Sequence, residues 1–214
     1  MSLAKYIDHT LLQPDCQRAD IIQLCTEAIT HQFYAVCIPP YFVKVAAAEL
    51  KNSPVKVATV IGFPLGYSAT AAKVEEIKKA MIDGVDELDV VVNLAAVKSR
   101  DWAHVENDID SATRMVHMKG KVIKLIIEAN LLTDQEMLKL CEICTKVGVN
   151  FVKTSTGYFG GATVDIVKVL RNNLPSSIKI KASGGIRSKS DATSLVEAGA
   201  DRLGSSAGIQ ILTK

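Results

Sequence analysis

The sequence predicts an α/β fold in which eight parallel strands close into a single (β/α)8 barrel of the TIM type. Three observations carry this expectation. Short apolar segments alternate with amphipathic helical ones along the whole chain, giving eight candidate strands. Gly84-Val85-Asp86, Gly148-Val149-Asn150 and Gly199-Ala200-Asp201 repeat one design between a helix and the next strand. A glycine there ends the helix in the left-handed conformation, and a small apolar residue opens the strand. Such repeated units imply parallel strands with right-handed crossovers. Finally, no linker, low-complexity run or charge block divides the chain, so residues 1–214 read as one domain. An open doubly wound sheet is the alternative, although no G-x-G-x-x-G follows a strand, which weakens its dinucleotide-binding form.

In order, residues 6–9 form a short first strand. Asp15 or Asp20 caps a helix through His31, with Ile21, Leu24, Cys25 and Ile29 on its apolar stripe. Residues 35–38 form a strand closed by Pro39-Pro40, and 43–50 are helical. Residues 55–61 are a nearly all-apolar strand ending at Gly62-Phe63-Pro64-Leu65-Gly66. A helix over 70–83 sets Glu76 with Lys79 or Lys73 on its wet side. Strand 88–92 and a long helix over 102–118 follow. Strand 122–127 ends at Glu128, and Thr133 caps a helix to Val147. A short strand then carries Lys153, with a helix over 164–172 behind it. Strand 178–182, helix 190–198 and strand 202–204 complete the series, leading into Ser205-Ser206-Ala207-Gly208.

Composition limits the function. At 214 residues and 48% hydrophobic content, the chain can bury a large core. A net charge of +2 gives no broad basic face, so nucleic acid is not an expected partner. No apolar run approaches the roughly 20 residues that span a bilayer, and the N-terminus lacks the long apolar core of a signal peptide. Five scattered cysteines, an odd number, point to reduced thiols and a cytoplasmic setting.

The chemistry concentrates in two stretches of like design. Val149-Asn-Phe-Val-Lys153 turns polar at Thr154-Ser155-Thr156-Gly157, and Ile178-Lys-Ile-Lys181 runs through Ala182 into Ser183-Gly184-Gly185. A lysine inside an apolar strand is costly to bury as an ammonium, so it escapes to solvent, is paired, or reacts as a neutral amine. Strand alternation also turns Glu87, Asp89 and Asn93 to one side, with Lys124 and Glu128 matching on the next strand. In a barrel these sit toward the C-terminal strand ends, where active sites are built. Glu87 with Lys124 reads equally well as a structural ion pair.

Two cations about 4 Å apart repel by roughly 4 kcal/mol at an effective dielectric near 20. That is about three pKa units, enough to make one lysine a competent amine near neutrality. The amine attacks a carbonyl to form an iminium, an electron sink for breaking or making an adjacent carbon–carbon bond. Asp89 can move the protons that this requires.

Lys153-Thr-Ser-Thr-Gly157, Lys181-Ala-Ser-Gly-Gly-Ile-Arg187, Leu88-Asp89-Val-Val, Ile7-Asp-His-Thr-Leu11 and Ile61-Gly-Phe-Pro-Leu-Gly66 together resemble deoxyribose-phosphate aldolases, in the same order over nearly the whole chain. The resemblance implies a class I aldolase that cleaves 2-deoxy-D-ribose 5-phosphate to glyceraldehyde 3-phosphate and acetaldehyde. It assigns the Schiff base to Lys153, the perturbing and proton-relay role to Lys181, and proton donation and acceptance to Asp89. By the same resemblance Cys37 lies near the substrate, and Asp8 and Thr10 form the polar pocket floor.

Phosphate binding is expected of the bare backbone at Gly184, Gly185 and Gly204-Ser205-Ser206, with Thr154, Thr156 and Gly157 supplying further donors. Arg187 adds charge there or caps the following helix. The sequence departs from the family at Tyr158 and Ala207, where some members place a lysine and a serine. Many members also carry a tail ending in tyrosine, implicated in proton transfer at C2. Ile211-Leu212-Thr213-Lys214 has none, which puts an efficient shuttle in doubt.

Because the imine is its own electron sink, neither a metal nor an organic cofactor is expected. Cys141 and Cys144 have metal-like spacing but lie on an apolar helix face with no second pair. The expected partners are a small sugar phosphate and acetaldehyde, without membrane, and with a homodimer left open as the assembly. Another Schiff-base sugar-phosphate lyase, a transaldolase-like enzyme and a catalytically silent sugar-phosphate-binding protein are the alternatives.

Overall fold

Each strand of the chain pairs with its sequence neighbour. In the computed structural model, which describes residues 2–213, these are β1 (Ile7–Thr10), β2 (Ala35–Ile38), β3 (Lys56–Ile61), β4 (Glu87–Val91), β5 (Val122–Ile126), β6 (Phe151–Lys153), β7 (Lys179–Ser183) and β8 (Arg202–Ser205). All pairings are parallel, and β8 returns to β1 through Asp8 opposite Gly204, which closes the (β/α)8 barrel.

The outer layer is α1 (Arg18–Thr30), α2 (Val43–Glu49), α3 (Thr70–Asp83), α4 (Leu94–Lys98), α5 (Trp102–His117), α6 (Asp134–Val147), α7 (Val164–Asn173), α8 (Lys189–Glu197) and α9 (Gly208–Thr213). Gly84, Gly148 and Gly199 all take the positive φ expected of them. Thr133 caps α6 as expected, accepting from the Glu136 amide. For α1, the helix end is closed by Asp20 from inside the first turn, where its carboxylate accepts from the Gln17 amide at 2.7 Å.

α4, α9 and the three short 3-10 turns at Leu3–Tyr6, Pro40–Phe42 and Ala129–Leu131 have no counterpart in the sequence reading. Each is too short to show a helical period. Asn93, read from its parity as facing the interior, instead caps α4 by accepting from the Ala96 amide. No helix among the described residues is long and apolar enough to cross a membrane. Lys214, the end of the segment read as lacking a tail tyrosine, lies outside the described residues.

The main core lies between the barrel and its helices. Outward residues of the strands, such as Leu88, Val90, Leu125, Val152 and Ile180, bury against Ile77, Ile109, Leu140 and Leu170. Within this layer one expectation is overturned. Lys73 is not on the wet side of α3 but 1% exposed. Its ammonium donates to Asp108 of α5 at 2.7 Å and to the Val91 carbonyl at 2.9 Å, while Thr70 donates to the other Asp108 oxygen. Burial draws the Lys73 pKa down, against the pull of Asp108. Helical spacing alone could not show this, because the partner lies 35 residues away.

All five cysteines are free thiols. Burial pushes Cys25 up to about 12 and Cys141 up to about 11, and raises Cys144 further, so α6 presents inert thiols to the core.

Candidate active site

The barrel interior is divided. β2 and β3 contribute a small apolar wall of Cys37, Ala58 and Val60, against which Leu12 and Phe63 pack. The remaining strands contribute charge. Lys153 and Lys181 stand directly opposite each other in the β6–β7 register, as the matching designs of their strands implied. Each donates to the same oxygen, Asp89 Oδ2, at 2.8 Å. The second oxygen, Oδ1, accepts from Lys124 at 2.7 Å.

Below this triad the network continues. Lys124 pairs with Glu87 at 2.7 Å, so the ion pair read from strand parity is present. Lys181 also donates to Asp8, whose other oxygen accepts from Arg202 at 2.9 Å. Arg202 reaches Glu87 at 3.2 Å, and its guanidinium lies over the Tyr34 ring at 3.3 Å from the centroid.

Such burial must be compensated, since isolated charges in a dry interior are costly. Burial alone would raise the Asp89 carboxyl, but Lys124, Lys153 and Lys181 overcome it and hold the group well below the usual carboxylate range. Asp8 is lowered in the same way by Lys181, Arg202 and Lys124. Burial would draw Lys181 down, yet Asp8 and Asp89 raise it well above its ordinary value. Lys181 is therefore a standing cation. Asp89 is a standing anion, suited to accepting and relaying a proton rather than storing one.

Above the triad lies a cavity of about 330 Å³, with Lys153 among its lining residues. Of the residues expected to bind substrate, Thr10, Thr156, Gly157, Gly184, Gly185, Gly204 and Ser206 line it. Asp8, Cys37 and Thr154 do not. Asp8 is fully buried beneath Lys181, and Thr154 is spent on Ser183, donating to its carbonyl and accepting from its amide. Cys37 sits with Sγ 4.0 Å from Asp89, and burial raises its thiol above the ordinary value. Asp89 and Lys181 likewise reach the cavity only through Lys153.

Ser205, expected within the Gly204-Ser205-Ser206 segment, also lines it, whereas the sequence reading missed Leu11, Leu12, Gln13 and Pro14 after β1, together with Ser183 and Ile186. Position after a barrel strand was their one available signal. Arg187 and Tyr158 complete the lining. Tyr158 meets Phe63 edge-on at 5.6 Å across the mouth.

Two glycine contacts shape this geometry. A Cβ on Gly204 would lie 3.1 Å from Lys181 Cε and 2.9 Å from Ser183 Cβ, so a bare backbone on β8 lets the lysine stem pass. Gly184 takes φ +88° and touches Gly161, with no room for a side chain on either. The Ala162 amide donates to the Ser183 and Gly184 carbonyls at 3.0 and 3.1 Å, tying the loop after β6 to that after β7. Glu128, at φ 52°, buries its carboxylate against the amide and hydroxyl of Thr156 and so orders the same loop.

A closed parallel barrel with one lysine at its mouth, a second beneath it and a carboxylate held between them defines a lysine-dependent barrel lyase of the aldolase class. Comparison with known proteins narrows the class to a family. Residues 2–214 match the model of the DeoC/LacD family aldolases. The chain is 49% identical over 215 residues to deoxyribose-phosphate aldolase from Thermococcus gammatolerans, covering 99% of this chain and 96% of that one. It is 50% identical over 214 residues to the Desulfitobacterium hafniense enzyme of the same name, covering 100% and 98%. Among solved structures, QR15, an aldolase, superposes with a TM-score of 0.93 at 40% identity, covering 99% of this chain and 94% of that one. The tetrameric deoxyribose phosphate aldolase of Aeropyrum pernix gives 0.92 at 34% identity, covering 99% and 89%. The chain belongs to the DeoC/LacD aldolase family.

Proposed function

We propose that this enzyme is a class I deoxyribose-phosphate aldolase, reversibly cleaving 2-deoxy-D-ribose 5-phosphate to D-glyceraldehyde 3-phosphate and acetaldehyde through a Schiff base on Lys153. The observation that carries this is the sharing of one Asp89 oxygen by Lys153 and Lys181, with Lys153 of the two reaching the cavity.

The Lys153 amine attacks the C1 aldehyde, and loss of water from the carbinolamine leaves an iminium. As a base takes the C3 hydroxyl proton, the C2–C3 bond breaks and its electrons flow into the iminium. Glyceraldehyde 3-phosphate departs, leaving an enamine on the lysine. Protonation at C2 and hydrolysis then release acetaldehyde and restore the amine. Lys181 stays charged beside the reacting nitrogen, and Asp89, bonded to both, relays protons to and from the Lys153 nitrogen.

The substrate phosphate fits the backbone donors of Gly184, Gly185, Gly204 and Ser206, with Arg187 adding charge. Thr10, Thr156 and Gly157 line the sugar's path, while Asp8, Cys37 and Thr154 support the floor from beneath.

Because the imine accepts the electrons, the reaction requires no metal or organic cofactor. Activity on 2-deoxyribose 5-phosphate, followed by coupled reduction of the released triose phosphate, should be unchanged after EDTA dialysis. A loss restored by Zn²⁺ alone would overturn the class I assignment. Five free thiols support a cytoplasmic setting. A homodimer is the assembly we propose. Sedimentation equilibrium should return the mass of two chains, whereas four would align the protein with its Aeropyrum pernix relative.

A further inference from the structure

Resting on the reading of Lys153 as the reacting amine, we propose that Glu87 and Arg202 are positioning residues that set how readily Lys153 gives up its proton. They lie at the closed end of the barrel, away from the mouth, and act through the charge ladder between them and the amine.

The inward-facing charges, taken strand by strand, do not balance. Asp8 on β1 with Glu87 and Asp89 on β4 supply three carboxylates, while Lys124, Lys153, Lys181 and Arg202 on β5 to β8 supply four cations. β2 and β3 add no charge, since burial keeps the Cys37 thiol protonated and Ala58 and Val60 are apolar. Glu128 is engaged with Thr156, and Arg187 lies at the mouth, both outside the ladder.

The cations are unequally compensated. Lys124 has carboxylate oxygens of Glu87 and Asp89 at 2.7 Å and of Asp8 at 3.9 Å. Lys181 and Arg202 each touch two carboxylates. Lys153 touches Asp89 alone, and shares its oxygen with Lys181. The surplus positive charge therefore falls on Lys153, whose deprotonation leaves three cations against three anions. Arg202 creates that surplus. Its guanidinium keeps its charge throughout the working range, and Tyr34 covers its face. Glu87 limits the surplus by sharing Lys124 and Arg202.

Charge variants should move the acid limb of the kcat/KM–pH profile in opposite directions. Arg202→Met leaves three lysines to three carboxylates, so Lys153 keeps its proton longer and the limb rises by about one pH unit. Glu87→Gln enlarges the surplus, and the limb falls by about the same amount. The double variant restores the native charge difference and should return the limb close to that of the parent, while Arg202→Lys should leave it in place. Purely structural roles would instead give losses that accumulate in the double variant without opposed shifts.

Borohydride trapping of acetaldehyde, mapped by mass spectrometry across pH, gives a readout independent of turnover. Failure to label Lys153 in the parent at any pH would sink the functional reading beneath this inference. Labelling of the parent with a limb that stays put or rises in Glu87→Gln would overturn the inference itself, whether or not Arg202→Met folds.

Discussion

Lys153→Ala should lower turnover by at least about 10⁴-fold, the scale on which removing a covalent nucleophile acts. The same change should erase the ethyl group that borohydride and acetaldehyde add to the protein. Lys153 is the lysine of the buried ladder that lines the cavity, so no neighbouring amine can replace it without moving the backbone. Lys181 lies just below, but its ammonium is fixed by Asp8 and Asp89 and raised far from deprotonation. The truncated protein should fold, because removing Lys153 takes one cation from a network that has one to spare. A label that persisted at Lys181 in Lys153→Ala would reverse the two assignments.

The second large effect is expected of Lys181→Leu. Removing this cation leaves Asp89 to Lys124 and Lys153 alone, so Lys153 gains a carboxylate oxygen that it no longer shares. The amine then holds its proton to higher pH. Activity near neutrality should fall by about 10³-fold and recover in part as the pH is raised toward 10, since the cation that repelled the protonated amine is gone. Asp8 keeps Arg202 but loses its nearer partner, so thermal unfolding should report a loss of about 3 kcal/mol. A flat pH profile with the same overall loss would show that Lys181 supports structure and does not govern the amine.

Much of this site could be read from the chain because strands alternate strictly. Two-residue parity placed Glu87, Asp89 and Lys124 inside the barrel, and the repeated lysine-then-glycine design placed Lys153 opposite Lys181. Parity fails where the strand stops: Asn93 follows the β4 pattern in sequence but has already turned into the cap of α4. Helical spacing put Lys73 in water because nothing near it in sequence announces Asp108. The β8–β1 closure brings Arg202 to Asp8 across 194 residues, a contact that no local pattern encodes. The cavity walls at Gln13 and Pro14 are likewise products of closure. Asp8 and Thr154, expected at the substrate, lie behind the cavity wall, because side chains that support a site share the motifs of those that line it.

The seam between Gly161 and Gly184 bears on how the protein can vary. Two loops that meet backbone to backbone form one module: an added side chain on either one displaces the other, together with the lysine strand beneath it. Recombination among relatives should succeed when residues 154–162 and 183–187 travel as a block, and fail when a crossover separates them.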